Sequence, residues 1–93
     1  MIIKICGIQN EDTLLCCEKN NVDFFGMIFY SKSPRNIRIE NAFKLQKISE
    51  YLKINGVGVF VNKNINEIED IIKKVRLKYV HYMDQKMRNI LKL

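Results

Sequence analysis

The chain opens with Met1-Ile2-Ile3-Lys4-Ile5-Cys6-Gly7-Ile8, an apolar, β-branched run that delivers a cysteine and then a glycine. Its nearly continuous apolar character predicts a strand over Ile2–Cys6 that is buried on both faces, as in a parallel sheet. In an enzyme built on parallel strands, catalytic side chains stand where such a strand ends. Cys6 is therefore the first candidate for a functional residue.

Strand and helix patterns alternate along the rest of the chain. We predict helices from Asn10 or Glu11 to Lys19, from Glu40 to Leu52, and over Ile65–Val75. Further strands are predicted over Val22–Phe29, interrupted by Gly26, over Gly56–Val61, and from Lys78 onwards. This β-α-β-α-β-α-β order, with short connections and no linker, favours a parallel sheet with right-handed crossovers.

The apolar positions predict which faces are buried. The second helix should bury one broad face, made of Ala42, Phe43, Leu45, Ile48, Tyr51 and Leu52, and the third a stripe of Ile65, Ile68, Ile71, Ile72 and Val75. In the third strand, Gly56 and Gly58 are expected to let neighbouring groups approach the backbone closely.

Length and composition describe one small domain. The chain has 93 residues, of which 47% are hydrophobic, which argues against disorder. No apolar run approaches the roughly 20 residues needed to span a bilayer, and no signal-peptide pattern is seen. The three cysteines, two of them adjacent at Cys16 and Cys17, cannot form a sensible disulfide framework, so reduced thiols and a cytoplasmic location are expected.

The net charge of +6 raises the question of a nucleic-acid partner. However, the lysines are scattered along helix faces, and no aromatic-rich binding motif accompanies them. The chain is also rich in Ile, Lys and Asn, whose codons are A/T-rich, so genome composition accounts for the charge. We therefore expect neither a nucleic-acid nor a membrane partner.

Three segments together carry a family resemblance. They are Lys4-Ile5-Cys6-Gly7-Ile8, then Gly26-Met27-Ile28-Phe29 with Lys32-Ser33-Pro34-Arg35, then Val57-Gly58-Val59-Phe60-Val61-Asn62. In this order and at these spacings, residues 1–80 resemble phosphoribosylanthranilate isomerase of tryptophan biosynthesis. The resemblance implies an α/β fold: the N-terminal half of a (βα)8 TIM barrel, with about four strands and three helices.

That family catalyses an Amadori rearrangement of an aminoaldose to an aminoketose, an aldose–ketose isomerisation that needs no cofactor and no metal. By resemblance, Cys6 is the general base, and Arg35 binds the anthranilate carboxylate of the phosphosugar substrate bidentately. Gly7 would keep the backbone clear of the substrate, and Lys32 and Asn62 are further candidates at the barrel mouth.

Each of these residues also has a plainer interpretation. A cysteine beside a glycine is usually a small buried hydrophobe. Ser-Pro-Arg by itself is a turn with a solvated charge, and Cys16 and Cys17 are interpreted as core or helix residues. The functional interpretation of Cys6 and Arg35 depends on the three segments occurring together.

A (βα)8 barrel takes at least about 200 residues. This chain reaches only the fourth strand, so the resemblance places the general-acid aspartate and the phosphate-gripping loops on later strands. We therefore expect the 93 residues alone to have negligible isomerase activity. Four strands also leave two open edges and an uncovered apolar face, which favours self-association of the half barrel.

The resemblance breaks at His81. The family continues with Gln-Leu-His-Gly-x-Glu, whereas this chain reads His81-Tyr82-Met83-Asp84 and onwards. If one nucleotide is inserted after the first two bases of the His81 codon, the codons that follow are read in another frame. In that frame the genetic code requires the Leu and the Gly of the family pattern and permits its other residues. We therefore expect residues 81–93 to be an out-of-frame tail, so that His81 would not be a catalytic histidine.

One alternative of another class stays open. The chain could be a self-standing, small α/β binding or interaction module, either basic for nucleic acid or dimerising as a half barrel. Salt-steep binding to DNA or RNA would indicate the nucleic-acid module.

Overall fold

The computed structural model describes residues 2–83, and these form four strands and three helices in strict alternation. The strands are β1 (Lys4–Cys6), β2 (Phe24–Phe29), β3 (Asn55–Val61) and β4 (Tyr79–Met83). The helices are α1 (Glu11–Lys19), α2 (Ile39–Ser49) and α3 (Ile65–Val75). The predicted β-α-β-α-β-α-β order is confirmed.

All four strands run parallel in the sheet order β1-β2-β3-β4. Cys6 pairs with Gly26, Gly26 with Val57, and Val57 with Tyr79, so these four residues form one row across the sheet. Paired residues point to the same face of a sheet and alternate along each strand. The row therefore defines one face, here called the inner face.

The opposite face, here called the helix face, carries the core. Phe25, Met27 and Phe29 of β2 are fully or almost fully buried there, and Phe60 stacks on Phe29 with ring centroids 5.1 Å apart. The helices supply the rest of this cluster, including Leu14, Cys17, Ala42, Leu45, Ile68, Ile71 and Val75. Burying these side chains between sheet and helices is the main source of stability.

The helix limits follow local capping chemistry. Asn10 and Asn64 accept the N–H groups of Thr13 and Glu67, each at 2.9 Å, and so begin α1 and α3. The glycines of β3 allow close packing as expected, because a Cβ on Gly56 would collide with the Gln46 amide oxygen. No helix among residues 2–83 is long and apolar enough to cross a membrane.

The prediction that the first strand is buried on both faces is wrong. Ile3 and Ile5 are 39% and 42% exposed, and Ile2 is 76% exposed and precedes the strand. The reason is position, since within residues 2–83 β1 is an edge strand with a neighbour on one side only. An apolar run indicates that burial of the strand would be favourable, but burial also requires a neighbouring segment that packs against it.

Two helix-face predictions are also wrong. Tyr51 is 86% exposed because α2 ends at Ser49 and Tyr51 lies in the following turn. Ile65 is 65% exposed because it is the first residue of α3, before the helix packs on the sheet.

The expected out-of-frame tail, residues 81–93, lies outside the described residues except for 81–83. Those three residues complete β4, pairing with Val59, Phe60 and Val61 of β3. The frame shift itself stays a prediction.

Candidate functional site

Cys6 stands at the C-terminal end of β1 with its side chain on the inner face and exposed. It fits there because its register partner is a glycine: a Cβ on Gly26 would lie 2.8 Å from Cys6 Sγ. Gly26 therefore leaves the space that the thiol occupies. The sequence showed Gly26 only as an interruption of a strand, and the register reveals its role.

Arg35 comes from the loop after β2 and reaches back to β1. The loop is shaped by Ser33, whose hydroxyl accepts the Arg35 N–H at 3.1 Å and whose N–H donates to the Tyr30 carbonyl at 3.0 Å. The Arg35 guanidinium Nη1 donates to the Cys6 carbonyl oxygen at 3.4 Å. The predicted base and the predicted carboxylate-binding residue therefore lie side by side.

Gly7 makes this approach possible. Its φ is +87°, a region that only glycine adopts without cost, and a Cβ there would lie 2.6 to 2.9 Å from the Arg35 side chain. The bend after β1 is held by the N–H groups of Gly7 and Ile8, which both donate to the Gly26 carbonyl, at 2.9 and 3.1 Å. Arg35 thus lies directly over Gly7.

Lys32 and Asn62 lie farther along the same edge of the sheet. Lys32 is exposed in the turn that precedes Arg35, and Asn62 follows β3 with a positive φ of 52°. Since the C-terminal ends of parallel strands share one edge, both belong to the mouth to which Cys6 and Arg35 belong. Of the five candidates, the structure draws Cys6, Gly7 and Arg35 into one contact group.

A further contact, which sequence reasoning missed, crosses the inner face. Lys4 Nζ lies 3.2 Å from His81 Nδ1, although these residues sit on the two outer strands. The sheet must therefore curl toward the inner face. Partial burial, and then the Lys4 charge, lower the pKa of His81, so a neutral ring accepts from the lysine at pH 7.

The other two cysteines take the places expected of them. Cys17 packs in the core, where burial and then the neighbouring Cys16 raise the pKa of its thiol. Cys16 is exposed on α1, and its carbonyl accepts from the Asn20 side chain at 2.7 Å. Among residues 2–83, no group of three or more His, Cys, Asp or Glu side chains could hold a metal ion.

The group of Cys6, Gly7 and Arg35 can do two things chemically. The exposed thiol, once deprotonated to the thiolate, can serve as a base at a strand end, and the guanidinium fork can bind a planar carboxylate beside it. Arg35 places a positive charge at this end of β1, which favours an anionic ligand.

Comparison with known proteins finds one family. The family model of N-(5'phosphoribosyl)anthranilate (PRA) isomerase matches residues 3–89. The N-(5'-phosphoribosyl)anthranilate isomerase of Campylobacter jejuni is 41% identical over 75 residues, which are 81% of this chain and 37% of that protein. The tryptophan biosynthesis protein TrpCF of Helicobacter pylori is 34% identical over 90 residues, 97% of this chain and 20% of that protein.

Solved structures agree with this result. A structure of monomers generated from the dimeric phosphoribosylanthranilate isomerase of Thermotoga maritima superposes with a TM-score of 0.81 at 33% identity over 99% of this chain and 48% of that one. A structure with reduced 1-(o-carboxyphenylamino)-1-deoxyribulose 5-phosphate matches equally well, with 47% of that chain covered. The chain thus spans about two fifths of its Campylobacter relative and about half of these structures. Its fold is a partial (βα)8 barrel.

Proposed function

Because the chain belongs to the N-(5'-phosphoribosyl)anthranilate isomerase family, we propose that it carries the general base and the carboxylate-binding arginine of that isomerisation. The observation that supports this most directly is the 3.4 Å hydrogen bond from Arg35 to the Cys6 carbonyl. This bond supports the proposal because it joins the residue proposed to bind the carboxylate to the residue proposed as the base, at the end of the strands where barrel enzymes act.

The roles follow from the chemistry of an Amadori rearrangement. An acid protonates the ribose ring oxygen, the C1′–O bond breaks, and an iminium forms between C1′ and the anthranilate nitrogen. Cys6, as the thiolate, removes the C2′ proton, and the C2′–H electron pair forms the C1′=C2′ bond of an enolamine. Tautomerisation then gives the C2′ ketone, so hydrogen moves within the substrate and no outside oxidant, reductant or cofactor is consumed.

Arg35 would orient the substrate for this step. Its two terminal nitrogens match the two oxygens of the anthranilate carboxylate, and its present bond to the Cys6 carbonyl fixes where that fork lies. Gly7 contributes by having no side chain between the guanidinium and the strand. Lys32 and Asn62 are proposed as mouth residues of secondary weight.

We expect the 93-residue chain alone to have negligible isomerase activity. By resemblance, the general acid and the phosphate-gripping loops belong to later strands, so a base acts here without its partner. Ready rescue of a tryptophan auxotroph lacking this isomerase by the 93-residue chain would contradict this expectation. We place the protein in the cytoplasm, consistent with its free cysteines, and propose a small-molecule phosphosugar–anthranilate substrate rather than nucleic acid or membrane.

Binding is the property to test, because it does not need the missing acid. The 93-residue chain is titrated with reduced 1-(o-carboxyphenylamino)-1-deoxyribulose 5-phosphate and followed by amide NMR shifts. We expect millimolar binding with shifts confined to Cys6, Gly7 and the loop at 30–36. Arg35→Ala should abolish it, whereas Cys6→Ser should retain it, since the thiol is a base and not a binding group.

Lys44→Ala is the matched control, because Lys44 is an exposed cation on α2, away from this mouth. If Lys44→Ala abolished binding as completely as Arg35→Ala, the ligand would be held only by non-specific attraction to the positive charge of the protein. Binding that survives Arg35→Ala with unchanged shifts would refute the proposed role of Arg35.

A further inference from the structure

The loop after β2 carries two exposed cations, Lys32 and Arg35, which differ in how firmly they are held. The backbone N–H of Arg35 bonds to the Ser33 hydroxyl, and its guanidinium bonds to the Cys6 carbonyl. The Lys32 ammonium bonds to no other residue in the described part of the chain. Holding an exposed arginine costs side-chain entropy, so the residues that hold it are candidates for a functional role.

Ser33 fixes the backbone on the N-terminal side of Arg35. Two turns share this serine, since its N–H donates to the Tyr30 carbonyl at 3.0 Å and its carbonyl accepts the Asn36 N–H at 3.1 Å. Pro34 is the second residue of the latter turn, where the ring presets the backbone angle that the turn needs. The Ser33 hydroxyl accepts the Arg35 N–H at 3.1 Å within that turn. The backbone of the arginine is therefore bonded inside the turn that carries it.

Gln9 fixes the loop on the C-terminal side of Arg35. Its side-chain Nε2 donates to the Asn36 carbonyl at 3.3 Å, one residue beyond the arginine. The Ile37 N–H donates to the Ile28 carbonyl at 2.8 Å and anchors the same end of the loop on β2. Because Gln9 lies in the segment between β1 and α1, its bond joins the segment that follows the proposed base to the loop that carries the arginine.

We propose that Ser33 and Gln9 are positioning residues for Arg35, which rests on the proposed role of Arg35 in binding the anthranilate carboxylate. Ser33 holds the backbone of the arginine, and Gln9 holds its loop beside the end of β1, so the guanidinium is in place before the ligand arrives. Preorganisation of this kind raises affinity, because the loop is ordered during folding rather than during binding.

The bonds that hold the loop leave the guanidinium able to bind a ligand. Ser33 bonds to the backbone N–H of Arg35 and Gln9 to a neighbouring carbonyl, so neither uses a guanidinium donor. Only the Cys6 carbonyl does, through Nη1, and a guanidinium carries more N–H donors than this single bond uses. A planar carboxylate can therefore bind bidentately to the remaining donors.

The first test observes Arg35 in the ligand-free 93-residue chain by NMR. Ser33→Ala should speed the exchange of the Arg35 amide proton with solvent about twofold to tenfold, because the oxygen that accepts this proton is gone. Ser33→Thr keeps a hydroxyl and should retain the slow exchange. Ser31→Ala is the matched control, since Ser31 is exposed in the same loop and its hydroxyl bonds to no other described residue. It should leave the rate unchanged.

The Nε–H signal of Arg35 reports on the guanidinium itself. In Ser33→Ala and in Gln9→Met it should move toward the position of a free arginine side chain, because the guanidinium no longer stays on the Cys6 carbonyl. Gln9→Met keeps the length of the side chain and removes its donor. A residue that only stabilised the fold would lower the unfolding free energy without moving this signal.

The second test is titration with reduced 1-(o-carboxyphenylamino)-1-deoxyribulose 5-phosphate. Ser33→Ala should raise the Kd about twofold to tenfold, the equivalent of one hydrogen bond, and Ser33→Thr should restore it. Gln9→Met should raise the Kd about twofold to threefold, since its bond is longer and exposed. Ser31→Ala should leave the Kd unchanged.

Several results would overturn the proposal. An Arg35 amide proton that exchanges at the same rate with and without the Ser33 hydroxyl would do so, and so would a Kd that rises as much in Ser31→Ala. An unmoved Nε–H signal in Gln9→Met would remove Gln9 from the assignment. If the normal chain bound no analogue while the ligand-free signals changed as expected, the proposed role of Arg35 would fail, but its positioning by Ser33 and Gln9 would stand.

Discussion

Replacing Gly7 by alanine tests the geometry of the candidate site directly. At a φ of +87° an L-residue is strained, which costs about 1–2 kcal/mol of unfolding free energy. The new Cβ would also lie 2.6 Å from Arg35 Cδ, so the arginine must move away and lose its bond to the Cys6 carbonyl. Losing that exposed hydrogen bond lowers the unfolding free energy by about a further 0.5 kcal/mol.

The two contributions separate in a double-mutant cycle. Gly7→Ala in the normal chain should cost about 1.5–2.5 kcal/mol, but in an Arg35→Ala background only the backbone term of about 1–2 kcal/mol remains. The assay is urea unfolding followed by far-ultraviolet circular dichroism at one fixed protein concentration. A difference of about 0.5 kcal/mol between the two backgrounds is the expected coupling.

Gly26→Ala is the control for this cycle. It makes the same change at a glycine whose new Cβ meets Cys6 rather than Arg35, so its cost should not depend on Arg35. Equal costs of Gly7→Ala in both backgrounds would show that Arg35 does not lie over Gly7. A total cost below about 0.5 kcal/mol would refute the argument from the positive φ.

Two further predictions concern stability. Asn64→Ala removes the oxygen that accepts the Glu67 N–H at 2.9 Å, and should lower the unfolding free energy by about 1 kcal/mol in urea; an unchanged midpoint would contradict the cap. Because partial burial and Lys4 lower the pKa of His81 below its usual 6.5, the unfolded chain binds more protons near pH 6. The unfolding free energy should therefore fall as the pH drops from above 6.5 through the folded-state pKa, and His81→Gln should flatten that slope; an identical slope would refute it.

The order and direction of the elements can be predicted from local sequence patterns. Helical spacing of apolar residues and asparagine caps are local signals, and they were sufficient to predict α3 over Ile65–Val75 and the start of α1. Alternation of short apolar strands with helices then leaves a parallel sheet as the favoured arrangement. Cys6 could also be predicted at the end of a strand, because its position follows from the apolar run before it.

Which groups contact one another, and which surfaces are buried, depends on the tertiary packing. The contact of Arg35 with Gly7 depends on a loop that returns to β1, and the space for the Cys6 thiol depends on register with Gly26. The first strand has the apolar character of a buried strand, yet Ile5 is exposed because burial requires a neighbour as well as a pattern. Local propensity is encoded residue by residue, whereas register and burial belong to pairs of segments that the sequence alone does not bring together.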